Sequence, residues 1–314
     1  MRRRLLYILA GVLFLAGAAL LLLPVGEEAL GTLRNRERIE EFQKETYREG
    51  QGTAEEDIEL KQQMYSYNER IYAEGQSGLT DAWSYEQGDL DLQGTGMAGE
   101  MAGYLIIPAM GIELPLYIGA DQENLSKGAA VLGQTSMPVG GENTNCVIAA
   151  HRGYGGTAMF REIEKLKAGD EVKITNLWET LTYEVIKCIV ILPDDIDAVK
   201  IVPGEDLVTL VTCHPYTQNY QRYVVYCRRM ENLLENGADD TGQAAGGKGK
   251  NEEDIVPYDG VPFRSSKAAI RKERILTAAG CALLAALFAC LLVWLAVKKK
   301  GGGRQKKKTG RIKK

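Results

Sequence analysis

Apolar positions are spread unevenly along the chain. Leu5 to Leu23 is an uncharged, almost wholly apolar run of 19 residues, and Ile275 to Val297 is a second run of 23. Each is long enough to cross a hydrocarbon core of about 30 Å as a helix. Between them the pattern changes twice. From Glu27 to Glu49 and from Ala54 to Glu74, apolar residues recur at helical spacing among Glu, Lys, Arg and Gln. They are Leu30, Leu33 and Phe42, then Ile58, Leu60, Met64, Tyr67 and Ile71. This predicts two amphipathic helices, separated at Gly50-Gln51-Gly52-Thr53, with Thr53 as N-cap of the second. Gly75 to Met101 is glycine-rich and poor in apolar residues, which predicts a loop. Inside it Asp81-Ala82-Trp83 stands out, because a loop tryptophan needs a surface on which to bury its ring.

From Gly103 to Arg228 the texture becomes short runs rich in Val, Ile, Leu, Thr and Tyr, separated by Gly, Pro, Asn and Asp. The runs are GYLIIP, IELPLYIG, AAVLG, NCVIAAHR, EVKITN, LTYEVIKCIVIL, LVTLVTC and YQRYVVYCR. They predict about eight strands, with one helical turn at Asn124 to Lys127 and a short helix from Thr157 to Leu166. Many strands with little helix point to a closed antiparallel barrel or a sandwich, large enough to bury its own core. Asn232 to Asp259 is a polar, glycine-rich linker composition. The expected organisation is a cytoplasmic start and anchor (1–24), external helices and loop (25–102), a β domain (103–230), a flexible linker (231–274), a second membrane helix (275–297) and a basic tail (298–314).

Charge sets the orientation. Arg2, Arg3 and Arg4 precede the first run, ten Lys or Arg follow the second, and all 42 acidic residues lie between. The positive-inside rule puts both termini in the cytoplasm and residues 25 to 274 outside a plasma membrane. Pro24-Val25-Gly26-Glu27 is a poor cleavage site, so the first run reads as an uncleaved anchor rather than a signal peptide. The external region carries a net charge of −17, which argues against nucleic acid as a partner. The basic tail reads as a topology determinant that contacts anionic lipid.

Six cysteines give no disulfide framework. Cys281 and Cys290 fall in the second membrane run, and Cys146, Cys188 and Cys227 sit inside apolar strand runs as small hydrophobes. Cys213 is the one cysteine with a polar, loop-bounded setting, at the end of LVTLVTC. Side chains alternate along a strand, so Thr209, Val211 and Cys213 share one face and His214 points to the other. The chain's other histidine, His151, closes NCVIAAH, and ends of strands on one barrel rim can converge. Arg222 opens the last strand run. Such a set supplies an acid/base, a thiol nucleophile and a fixed cation for a developing oxyanion, the parts needed for acyl transfer. The residues alone leave open a buried, inert Cys213 in a membrane-anchored adhesion or scaffold barrel.

TLVTCHPYTQNYQR resembles the sortase signature, TLxTC followed by an arginine some eight to ten residues on, and HRG at 151–153 resembles the sortase histidine motif. The resemblance covers roughly Gly103 to Arg228. It implies an eight-stranded β-barrel in which Cys213 is the nucleophile, His151 the general acid/base and Arg222 the oxyanion or substrate stabiliser. The two apolar runs, the helices and the aromatic-bearing loop resemble class C, the pilin-polymerising sortases. In that class an Asp-Pro-aromatic lid covers the site; Asp81 and Trp83 match its outer positions, with Ala82 replacing the proline. Proline would have fixed φ there, so its loss bears on the loop's rigidity. The implied reaction cleaves an LPxTG-like sorting signal between Thr and Gly and passes the acyl group to a pilin lysine. A peptidoglycan-precursor amine, as in a wall-anchoring sortase, or water, as in a tethered cysteine peptidase, are the alternative acceptors. No metal or cofactor is expected, since Asp194, Asp195 and Asp197 lack the spacing of an EF-hand loop. The resulting fold expectation is mainly β: a closed eight-stranded sortase-type barrel with short helices, preceded by two amphipathic helices and flanked by two transmembrane helices.

Overall fold

The computed structural model describes residues 2–49, 54–84, 101–230 and 263–309. The expected N-cap Thr53, the greater part of the Gly75–Met101 loop and most of the 231–274 linker lie outside these residues. The chain divides into two compact units, residues 1–26 with 268–314, and residues 27–267.

All eight strand-like runs become strands. They are β1 (Met101–Ile107), β2 (Ile112–Ile118), β3 (Ala129–Val131), β4 (Thr144–Ala149), β5 (Glu171–Asn176), β6 (Thr180–Ile191), β7 (Asp206–His214) and β8 (Gln221–Arg229). They close into a barrel in the order β1-β2-β3-β4-β7-β8-β6-β5. The barrel is not wholly antiparallel as expected: β2–β3 and β4–β7 run parallel. Parallel neighbours need a crossover rather than a hairpin. The helix α3 (Gln122–Lys127; α1 and α2 precede it and are given below) supplies the first, and the excursion through β5 and β6 the second. The short helix expected over Thr157 to Leu166 is reduced to a 3-10 turn at Ile163–Lys165. Met159 there takes φ of 42°, outside the right-handed helical region.

Alternate residues fill the interior: Leu105 and Ile107, Leu114 and Leu116, Val172 and Ile174, Val208 and Leu210, Tyr223 and Val225. Strand β6 switches parity. Leu181, Tyr183 and Val185 point inward, then Cys188 and Val190, because the β8 pairing skips Ile186. That bulge breaks the alternation of Leu181, Tyr183 and Val185 at Ile186. Cys146, Cys188 and Cys227 are free and buried, as expected.

The opposite faces of β4, β7 and β8 are also covered. Val147, Ala149, Val211 and Val224 form a second cluster with Val199 of the β6–β7 connection and with Leu79 and Ala82. By parity Cys213 belongs to this face and His214 to the interior. Helix α1 (Arg2–Glu49) is one continuous helix, in which the first apolar run and the first amphipathic stretch are merged. Its Ile39 and Phe42 pack with Tyr104 of β1, and Gln43 donates to the Tyr104 hydroxyl. Helix α2 (Ala54–Ala73) buries Met64, Tyr67 and Ile71 against the barrel core, while Ile58 stays exposed. The Asn68 carboxamide completes that docking by accepting from Met137 N at 2.7 Å. Helix α4 (Lys267–Thr309) follows the linker. Among the described residues one stretch, Lys267–Cys290, is long and apolar enough to cross a membrane, where two were expected.

Candidate active site

Three strands bring the predicted residues to one place. Strand β4 runs parallel to β7 with Ala149 opposite Val211. His151 and Cys213 each lie two residues beyond that pair. The pairing is held past the end of β4: Thr212 Oγ1 donates to Ala150 O at 2.7 Å, and Ala150 N donates to Val211 O at 3.3 Å. On the other side of β7, Cys213 is the direct cross-strand partner of Arg222 in β8. The Arg222 guanidinium donates to its own loop, at Asn219 O and Gln221 O.

The Asp81-Ala82-Trp83 segment lies over this point. Gln76 fixes its approach by donating to Gln134 O at 2.8 Å and accepting from Ile201 N at 2.6 Å. Leu79 and Ala82 are buried on the outer cluster. Asp81 then accepts twice from Arg222, Nε to Oδ1 and Nη2 to Oδ2, both at 2.7 Å. This fork-to-fork pair is nearly dry, with 8% and 16% of the side chains exposed, so it belongs to the stronger class of charge-assisted contacts. Trp83 lays its ring 4.9 Å from the Arg222 guanidinium carbon and points its indole N–H at His151 Nδ1, 3.4 Å away. The Ala82 backbone needs no proline to be held: a 3-10 turn, Ala82–Ser84, is closed by Ser84 N on Asp81 O and Trp83 N on Asp81 Oδ2.

Electrostatics follow from burial. Cys213 is 8% exposed, and burial pushes its thiol up to about 11, with Asp81 adding to the rise and Arg222 opposing it. Burial also lowers His151. Both shifts favour the uncharged form of the group concerned. With Nδ1 facing a donor, the imidazole proton belongs on Nε2. Tyr154 stacks on the His151 ring, centroids 4.7 Å apart at 20°.

A second polar cluster lies behind the site, in the interior. Arg152 Nη2 donates to Glu164, and Arg152 Nη1 meets His214 Nδ1 at 2.6 Å and Cys213 O at 3.4 Å. Sequence reasoning missed Arg152, Glu164 and Tyr154. Arg152 was visible only as the middle of HRG, and nothing local marks Glu164. Among the described residues no group of three or more His, Cys, Asp or Glu could hold a metal ion.

The chain is similar to known proteins of one family. The Sortase domain family profile matches residues 105–230. The chain is 28% identical to sortase D of Bacillus subtilis (strain 168) over 135 residues, which cover 42% of this chain and 65% of that protein. It thus spans less than two-thirds of the curated relatives it matches. The structure of sortase C1 from group B Streptococcus pilus island 1 is 31% identical, covering 63% of this chain and 99% of that one, with a TM-score of 0.57. That of Clostridium perfringens sortase C with the C-terminal cell wall sorting motif is 33% identical, covering 62% and 98%, with a TM-score of 0.54. A closed eight-stranded barrel, a TLxTC strand facing an arginine strand, and solved neighbours matched over nearly their whole length lead to one conclusion: the chain belongs to the sortase family.

Proposed function

We propose that this chain is a membrane-anchored class C sortase, a cysteine transpeptidase that joins pilin subunits at the cell surface. The observation that carries the reading is the Cys213–Arg222 cross-strand pair beside His151, covered by Asp81 and Trp83. In the reaction, the Cys213 thiol transfers its proton to His151 and its sulfur attacks the Thr carbonyl of an LPxTG-like signal. Arg222, once released by Asp81, donates to the oxyanion. Collapse breaks the Thr–Gly bond; His151 returns the proton to the departing glycine amine, leaving a thioacyl enzyme. A pilin lysine amine then attacks the thioester, forms an isopeptide bond and frees the thiol. The solved neighbours named as sortase C, one of them with a cell wall sorting motif, support this substrate class.

Asp81 and Trp83 form the lid in this reading, since Asp81 occupies the guanidinium face that the substrate carbonyl needs. Two spanning segments, Leu5–Leu23 and Ile275–Val297, hold residues 25–274 outside the plasma membrane with both termini in the cytoplasm. The three flanking arginines and the ten-residue basic excess of the tail support that topology. No cofactor enters the scheme.

The test uses the full chain in detergent micelles, one pilin domain bearing an LPxTG signal and one bearing the acceptor lysine. Intact mass should show a cross-linked product lacking the sorting tail, and none with Cys213→Ala. Joining to a peptidoglycan-precursor amine in place of lysine would move the chain to the wall-anchoring class. Hydrolysis alone would make it a peptidase.

A further inference from the structure

The chain returns to the barrel just before α4. Phe263 to Ser266 lie far outside residues 105–230, where the family profile matches, yet they reach the back of the active site. Glu164, 2% exposed, accepts from Arg152 Nη2, from Ser265 Oγ at 2.7 Å and from Ser266 N at 2.9 and 3.1 Å. The Ser266 hydroxyl in turn accepts from Tyr216 N at 2.9 Å, in the loop that joins Cys213 to Arg222. Phe263 stacks on His214, centroids 5.6 Å apart at 8°. The segment therefore touches residues 214 and 216 directly and reaches Cys213 O through Glu164 and Arg152.

We propose that Phe263–Ser266 is a strap that positions the nucleophile, with Ser266, Phe263, Glu164 and Arg152 as its positioning residues. The physical reason is charge burial. Glu164 and Arg152 are a neutral pair with almost no solvent, and a buried carboxylate is tolerated only while its lone pairs are satisfied. Three of the four hydrogen bonds to Glu164 come from Ser265 Oγ and Ser266 N, so loss of the strap leaves it the one from Arg152. The guanidinium then has reason to swing toward Glu164 and away from Cys213 O and His214. Losing the Ser266 hydroxyl also removes the 2.9 Å bond from Tyr216 N, one of the ties on the loop between nucleophile and oxyanion donor. The strap is followed in the chain by α4, which begins at Lys267.

The inference rests on Cys213 being the nucleophile, and the experiment separates the two. Ser266→Ala, Ser266→Thr and Phe263→Ala are made in the full chain in micelles. Each is measured for cleavage of an LPxTG peptide, for thermal unfolding and for the rate of Cys213 alkylation by iodoacetamide, read by peptide mapping. Ser266→Ala and Phe263→Ala should lower kcat about tenfold with KM and Tm near wild type, and Ser266→Thr should restore kcat. Wild-type kcat in both alanine variants, or a kcat loss that only follows a fall in Tm, overturns the strap. If wild type shows no Cys213-dependent cleavage, the functional reading fails and the strap is judged on alkylation alone. A change of threefold or more in that rate then supports it, and an unchanged rate overturns it.

Discussion

Asp81 and Arg222, 141 residues apart in the chain, are joined by two 2.7 Å hydrogen bonds that close directly over the cross-strand neighbour Cys213. One carboxylate thus occupies the guanidinium face that an oxyanion would use, and it also raises the thiol that would attack. Closing the site and quieting the nucleophile are one contact.

Asp81→Ala should therefore act twice. Removing a negative charge beside the thiol, and letting water reach it, both lower the Cys213 pKa from about 11. Alkylation of Cys213 should accelerate about tenfold at pH 8, as expected for loss of one or two charge-assisted hydrogen bonds. The midpoint of its pH profile should move to lower pH. Trp83→Ala should accelerate alkylation too, with a smaller shift of midpoint, because it carries no charge. An unmoved rate in the double variant would remove the lid from the account.

Arg222→Lys keeps the charge but not the planar fork. Cleavage of a sorting peptide should fall roughly 10²-fold in kcat, the usual cost of an oxyanion donor, with a smaller change in KM. His151→Ala should suppress acylation to the background of Cys213→Ala. Single-turnover cleavage followed by mass spectrometry measures both.

His214 gives a stability signature distinct from catalysis. Burial first, and the Arg152 guanidinium second, push its imidazole down from 6.5 to about 4. The unfolded chain gains this proton below pH 6.5 while the folded chain refuses it until about pH 4. Stability is therefore complete above 6.5 and declines as pH falls through that window, by up to about 3 kcal/mol. Glu164 adds to the decline only below its ordinary 4.5. Burial works to raise it, and its Ser265, Ser266 and Arg152 donors together hold it lower. Urea unfolding at pH 7, 6, 5 and 4.5 should show the slope in wild type and a flatter one in His214→Gln. Equal slopes would contradict a buried neutral His214.

Helix α2 belongs to the catalytic domain. Met64 and Ile71, each 1% exposed, sit in the barrel's own cluster. Met64→Ala should cost about 2–4 kcal/mol. A fragment beginning at Gln76 should be less stable than one beginning at Glu27, as measured by thermal unfolding.

The strands were legible because each run carries its own period-two pattern and its own turn residues, and Val211 and Cys213 announced their shared face. Cys213, His151, Arg222, Asp81 and Trp83 were legible from motif and setting, and the structure brings these five together. The parallel β4–β7 pairing was not, since nothing in NCVIAAHR encodes its partner's direction. Ile186 hid its bulge inside an apolar run. The continuity of α1 was obscured by the change from an apolar to a charged stretch near Pro24, which reads as a boundary although the backbone stays helical. Glu164 was invisible because its donors are Arg152, twelve residues earlier, and Ser265 and Ser266, about a hundred residues later.

The most direct test of the central claim is to trap the acyl enzyme. Full-chain Asp81→Ala/Trp83→Ala protein would be mixed with an LPxTG peptide, quenched in acid and mapped by mass spectrometry. The expected result is a thioacyl adduct on Cys213 that carries the peptide up to Thr, forming faster than in wild type and absent in Cys213→Ala. Peptide cleavage that survives Cys213→Ala, or an adduct on any other residue, would contradict the account.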